Sequence, residues 1–173
     1  MEQKILFNKT ECGFLKSFLI RDDIVKTTND ARGSLNTMVG VVPPNEIPIW
    51  FNDRISIFNI KQLEFQNKLA VSRSIIINKY ETGGYFLRHR DDYSLHRDWI
   101  KRYKTLIIQL SESDSYIGGD LIVNDIYVNR DIGNVILFNA STYHELTTIT
   151  KGNRYSLILW LDRDDIIKKR NLL

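Results

Sequence analysis

The chain has 173 residues and a mass of 20.3 kDa, with 43% hydrophobic and 26% charged residues. That length and balance describe one globular domain with a full core, and they exclude disorder, collagen-like repeats and a coiled coil. A net charge of +3 and a pI near 8.9 are too mild for a dedicated nucleic-acid binder.

Cys12 is the single cysteine, so no intramolecular disulfide can form and a disulfide-stapled scaffold is excluded. No base lies near it in sequence, and it reads as a half-buried helix position rather than a nucleophile. The start, MEQKILFNKTE, lacks the long apolar region of a signal peptide. The longest apolar stretches, such as LILWL at 157–161, are far short of a membrane span. The expectation is a soluble cytoplasmic protein with no membrane and no nucleic-acid partner. Alanine occurs only at 31, 70 and 140 while Ile, Asn and Lys abound, a bias that suggests AT-rich coding, as in some bacteria and their phages.

In chain order, Thr10 reads as a helix N-cap with Glu11 in the first turn, where the helix dipole favours an anion. Phe14, Leu15 and Phe18 follow on one helical face. Val-Pro-Pro-Asn at 42–45 breaks regular structure. Residues 53–70 fit helix and strand periods equally. From Val71 onward, short runs rich in Ile, Val, Leu and Tyr alternate with Gly, Asn, Asp and Ser clusters. Candidate strands are 72–80, 85–90, 104–110, 120–123, 126–130, 134–138, 144–149 and 153–161. Asn124-Asp125 reads as a two-residue hairpin turn. Gly83-Gly84 and Gly118-Gly119 read as other tight connections. Leu121, Val135, Leu137 and Phe138 read as core. This density of short strands predicts an all-β sandwich or barrel. The KKR cluster at 168–170 reads as a solvated tail.

Two H-x-D triplets occur, His89-Arg90-Asp91 and His96-Arg97-Asp98. Residues i and i+2 of a strand share a face, so H-x-D on a strand aims an imidazole and a carboxylate at one point. His144, 55 residues after His89, would complete a set of two histidines and one carboxylate. That set suits non-haem Fe(II) and leaves coordination positions open. H-x-D alone is a weak signal, because a surface histidine beside a solvated aspartate looks the same. His96, in the polar stretch DYSLHRDWIKRY between strand candidates, takes that bland reading, with the stretch as a loop over the mouth of a site.

For His89 the surroundings are more specific. The stretch from Tyr80 to Asp91, YETGGYFLRHRD, resembles the Fe(II)/2-oxoglutarate-dependent dioxygenase superfamily, in particular its prolyl 4-hydroxylase-like branch. The family pattern is a Tyr, a Gly-containing turn, an aromatic residue and then H-x-D. TLIIQLSESDSYIGGDLIV is similar to its strand, acidic turn and Gly-Gly segment, GNVILFNASTYHEL to its distal histidine segment, and TKGNRYSLILW to its closing Gly-x-Arg-x-Ser strand. TECGFL echoes a Glu-Cys helix start. The good match runs from Tyr80 to Trp160.

The resemblance implies a mainly β, double-stranded β-helix (jelly-roll, cupin-like) barrel with N-terminal supporting helices. Residues 1–70 would be the support, 71–162 the barrel and 163–173 a tail of one domain. It implies Fe(II) held by His89, Asp91 and His144, with 2-oxoglutarate and O2 as cosubstrates and ascorbate as accessory reductant. The far carboxylate of 2-oxoglutarate needs a buried cation, and arginine grips a carboxylate with a permanently charged fork. Arg154 stands where the resemblance predicts that partner. Ser156 shares its strand face by period two, and Trp160 continues it. Tyr80 would reach the cosubstrate by its phenol. Gln109 stands where some relatives carry a Tyr, and its amide could donate instead. Glu145 is open between orienting His144 and facing solvent.

The activity implied is hydroxylation of a C–H bond with release of succinate and CO2, on a peptidyl proline by analogy with the branch. Hydroxylation of a free amino acid or small metabolite is the alternative, and a non-catalytic jelly-roll metal-binding or interaction module is the alternative of another class. Trp50, Phe51, Tyr93, Trp99 and Tyr103 are the aromatic candidates for the mouth.

Overall fold

The computed structural model describes residues 1–21, 26–28, 34–42, 46–60, 75–92 and 102–163. Strand β1 (Glu2–Ile5) leads to helix α1 (Lys9–Ser17) and a 3-10 turn over Phe18–Ile20. Strands β2 (Lys26–Thr28) and β3 (Ser34–Val42) follow, then α2 (Ile49–Ile55) and a second 3-10 turn over Ser56–Phe58. The rest is strand: β4 (Ile75–His89), β5 (Lys104–Gln109), β6 (Tyr116–Gly118), β7 (Leu121–Val123), β8 (Ile126–Tyr127), β9 (Asn134–Asn139), β10 (His144–Leu146), β11 (Ile149–Gly152) and β12 (Arg154–Leu161). Among the described residues, ten strands form one curled antiparallel sheet in the order β1-β9-β5-β12-β4-β10-β7-β8, with β3 also on β4 and β2 on β3, while β11 and β6 form a separate pair. The mainly β architecture agrees with the expected jelly-roll class. No described helix is long and apolar enough to cross a membrane.

Several local expectations change. Helix α1 is capped by Asn8, not Thr10: Asn8 Oδ1 accepts from Glu11 N at 2.9 Å, and Asn8 N donates to Glu11 Oε2 at 2.8 Å. A capping box needs its acceptor three residues before the carboxylate, which selects Asn8. Phe14 is 45% exposed, while Cys12, Leu15 and Phe18 are buried, so the inward stripe runs i, i+3, i+6 and leaves Phe14 to one side. Gly83-Gly84 makes no turn. The two candidate strands around it fuse into the single 15-residue β4, whose first half pairs with β12 and whose end pairs with β10. Gly83, at φ 87, lies where β4 passes from one partner to the other. The candidate 144–149 is two strands, β10 and β11. Strands β1, β2, β3 and β6 were not among the candidates. Asn124 and Asp125 do form the hairpin turn between β7 and β8, both with positive φ (51 and 63) as a type I′ turn requires. Residues 61–74, 93–101 and 164–173 lie outside the described residues, and with them Tyr93, His96, Asp98, Trp99 and the KKR cluster.

The central strands are buried on both faces, which is why RYSLILWL shows no clean alternation. The odd-numbered residues of β12, Leu157, Leu159 and Leu161, join Leu106, Ile108 and Val135 in one core against α1 and α2. The opposite face carries a second core of Ile107, Ile136, Phe138, Leu121, Val123 and Leu146 with Tyr80. That second face is the interior of the curl, and it carries the polar residues of β4, β5 and β12. Leu121, Val135, Leu137 and Phe138 are all buried.

Candidate active site

Pairing of β4 with β10 sets His89 directly across from His144. Three steps of β4, from Phe86 to His89, oppose two steps of β10, from Leu146 to His144, so β4 carries one extra residue at this point. Such a bulge re-aims side chains next to it. Leu87, which period two would put on the face of His89, is instead 59% exposed. Phe86 turns inward and lies against His89 at 4.1 Å between ring centroids. The two imidazole centroids are 4.2 Å apart, and Phe138 flanks His144 at 4.9 Å.

Asp91 follows the end of β4. Its backbone N donates to Ala140 O at 2.9 Å, which folds the chain back across β9. The carboxylate then faces both imidazoles, with Oδ1 3.7 Å from His89 Nε2 and Oδ2 3.5 Å from His144 Nε2. One ligand atom from each of His89, Asp91 and His144 lies within 4.8 Å of the others. Each histidine turns its Nδ1 to a carbonyl two residues upstream, His89 to Leu87 O at 2.7 Å and His144 to Thr142 O at 3.0 Å. A carbonyl only accepts, so each Nδ1 carries a proton, and Nε2 is the ring atom that each histidine can offer a metal beside Asp91. Burial, and then the neighbouring His144, hold His89 below the ordinary imidazole value, with Asp91 pulling the other way. Two imidazoles beside a carboxylate are the donor set that fits non-haem Fe(II).

The expected cosubstrate residues lie on the same interior face. Arg154 pairs with Tyr80 in the β12–β4 register, and Ser156 sits between Asn78 of β4 and Gln109 of β5. Arg154 is only 3% exposed. Its Nη1 donates to Ser156 Oγ at 3.2 Å, its Nε has no hydrogen-bond partner, and no described carboxylate pairs with it. A buried guanidinium without a counter-ion is costly, so this pocket is electrostatically prepared for an anion. The Tyr80 phenol accepts from Asn78 Nδ2 at 3.2 Å, and burial raises its pKa, so its proton stays available to donate. Gln109 Nε2 donates to Tyr116 Oη at 2.8 Å and to Ser111 O at 3.4 Å. Its amide hydrogens are thus engaged within the protein.

Glu145 does not orient His144. The acceptor is the Thr142 carbonyl, and Glu145 approaches Arg88 at 3.9 Å. Trp50 and Phe51 are not at the mouth. Phe51 is buried in the helix-side core, and Trp50 packs against Phe7 and Phe14, behind the sheet from the histidines. Tyr103 is exposed, between Lys104 and Arg163. Cys12 is fully buried rather than half-buried, against Gln109 O. Three polar residues of the site escaped the sequence reading: Asn78, Thr105 and Arg102. Thr105 Oγ1 donates to Asp91 Oδ2 at 2.5 Å, and Arg102 stacks 3.6 Å over the Trp160 ring. Period two from Tyr80 and from Gln109 would have found Asn78 and Thr105, both polar residues at inward positions of otherwise apolar strands.

The 2OG-Fe(II) oxygenase superfamily model matches residues 75–162. The chain is 34% identical over 119 residues to a PKHD-type hydroxylase of Caulobacter vibrioides, covering 60% of this chain and 51% of that protein. It thus spans about half the length of the curated relatives it matches. Among solved structures, a prolyl-4-hydroxylase of Pseudomonas putida superposes with a TM-score of 0.67 at 13% identity, covering 94% of this chain and 91% of that one. A prolyl hydroxylase of Trichoplax adhaerens, in complex with a hypoxia inducible factor peptide fragment, superposes at 0.65 with 16% identity, covering 94% and 83%. At such identities the likeness is one of fold. The family match spans the strands that carry both histidines, the aspartate and the buried arginine, and the chain belongs to the 2OG-Fe(II) oxygenase superfamily.

Proposed function

We propose that this chain is an Fe(II)- and 2-oxoglutarate-dependent hydroxylase. His89 Nε2, His144 Nε2 and the Asp91 carboxylate hold the iron, and Arg154 with Ser156 anchors the far carboxylate of 2-oxoglutarate. Tyr80 donates its phenol proton in the same pocket, and the Gln109 side chain forms part of its wall. Iron with 2-oxoglutarate and O2, when bound, supplies the oxidant that hydroxylates a C–H bond and leaves succinate and CO2. The chain's own residues orient the ligands, and the apolar interior around Ile107, Ile136 and Phe138 keeps water away. The single observation that carries the reading is the coincidence, on one interior face, of the two-histidine, one-carboxylate cluster with a buried arginine that has no carboxylate partner among the described residues.

The substrate proposed is a prolyl residue of a peptide. Relatives described as prolyl hydroxylases support this, one of them solved with a peptide fragment. The test is purified protein with Fe(II), 2-oxoglutarate and ascorbate, assayed for succinate. A panel of prolyl peptides, free amino acids and metabolites is read in parallel by mass gain of one oxygen. Succinate release that rises with a prolyl peptide, together with the mass gain, is the expected result. Oxidation of a free amino acid instead would reassign the substrate. Absence of both iron binding and succinate would leave a non-catalytic module.

A further inference from the structure

The two oxygens of Asp91 are not equivalent. Oδ2 accepts the hydrogen bond from Thr105 Oγ1 at 2.5 Å, whereas Oδ1 accepts none from the described residues. Thr105 is fully buried on the inward face of β5, between Phe138 of β9 and Trp160 of β12. Valine has the same branched shape and would suit that apolar setting, so the hydroxyl answers a polar need. A buried hydroxyl takes a partner, and the donor of Thr105 is committed to Asp91.

Both carboxylate oxygens face the imidazole pair at similar range, 3.7 Å for Oδ1 and 3.5 Å for Oδ2. Geometry alone therefore permits a metal to be gripped by both. A chelating keto acid and O2 together need every position that three single-atom protein ligands leave free. A carboxylate bound through both oxygens would occupy one of those positions. We propose that Thr105 is a positioning residue that keeps Asp91 a one-oxygen ligand, by occupying Oδ2 and leaving Oδ1 for the metal. This rests on the metal-binding reading given above.

The experiment compares the parent protein with Thr105→Val and Thr105→Ser, with Thr105→Ala as a second variant lacking the hydroxyl. Mn(II) binding is read by the electron paramagnetic resonance signal of the free ion, and 2-oxoglutarate binding to the Mn(II)-loaded protein by calorimetry. Thr105→Val and Thr105→Ala are expected to retain Mn(II) but to bind 2-oxoglutarate about 10- to 100-fold more weakly, the usual span for an outer-sphere residue. Thr105→Ser, which keeps the hydroxyl, is expected to match the parent within about twofold on the same scale. Parent-like 2-oxoglutarate affinity without the hydroxyl would overturn the proposal, as would loss of Mn(II) itself or failure of serine to restore binding. A parent protein that binds no Mn(II) would instead overturn the metal-binding reading.

Discussion

His89 and His144 face each other across the β4–β10 pairing with ring centroids 4.2 Å apart, and each ring is locked by a backbone carbonyl two residues upstream. The Nε2 edges of both rings are therefore set by main-chain geometry, before any ligand arrives. Removing either ring, or Asp91 between them, should cost more metal affinity than the about 10- to 100-fold typical of an outer-sphere residue. Calorimetry with Mn(II) on His89→Ala, Asp91→Ala and His144→Ala measures this. His96→Ala should bind as the parent does, and loss of binding there with His89→Ala intact would reassign the ligands.

Arg154 is a buried cation whose nearest charge complement is absent among the described residues. Arg154→Met should raise the 2-oxoglutarate requirement on the order of 30-fold or more, from the roughly 2 kcal/mol or greater cost of truncating one partner of a buried charge pair. Mn(II) affinity should be unchanged. The same variant should melt no lower than the parent without 2-oxoglutarate, because it removes an uncompensated buried charge. An unchanged requirement for 2-oxoglutarate would remove Arg154 from the pocket.

Gly119 is the close-packing point behind that arginine. A Cβ there would fall 2.1 Å from Ile149 Cδ1, 3.3 Å from Tyr116 Cε2 and 3.4 Å from Arg154 Cδ, at a φ of +65. Gly119→Ala should destabilise the fold by about 1–3 kcal/mol through strain and overpacking. It should also weaken 2-oxoglutarate binding more than metal binding. Urea unfolding and calorimetry on the variant check the two effects separately.

Burial pushes the Cys12 thiol up to about 11. An unfolded thiol titrates near about 8.5. Between those values the unfolded chain has released a proton that the folded chain still holds, so stability falls as pH rises through that window. Urea midpoints measured from pH 8 to pH 11 (roughly the window set by these pKa values) should decline less steeply in Cys12→Ala than in the parent. In the folded parent at neutral pH, a thiol reagent should find no reactive group until urea is added.

Much of the candidate site was legible through the family resemblance. The H-x-D triplet, the distal histidine and the Arg-x-Ser strand lie in the stretch that resembles the family. Period two brings Arg154 and Ser156 to one face, whereas Asp91 lies beyond the end of β4 and is aimed by its N–H bond to Ala140 O. The bulge was not legible. Period two predicts Leu87 on the face of His89 and Phe86 opposite, but one extra residue in β4 reverses both, because a bulge depends on how two strands distant in sequence pair. Gly83-Gly84 misled for a related reason: a local turn signal cannot reveal that β4 has two successive partners.

The sequence by itself determined the chemistry on offer: two imidazoles, a carboxylate and a guanidinium, in a chain with core enough to bury them. Tertiary structure alone decided their company. The hydroxyl of Thr105 on Asp91, the Thr142 carbonyl rather than Glu145 on His144, and the lack of any described acid beside Arg154 all depend on strands being brought side by side. Contacts across a sheet are set by register, and register is fixed by long-range pairing and burial that no local pattern encodes.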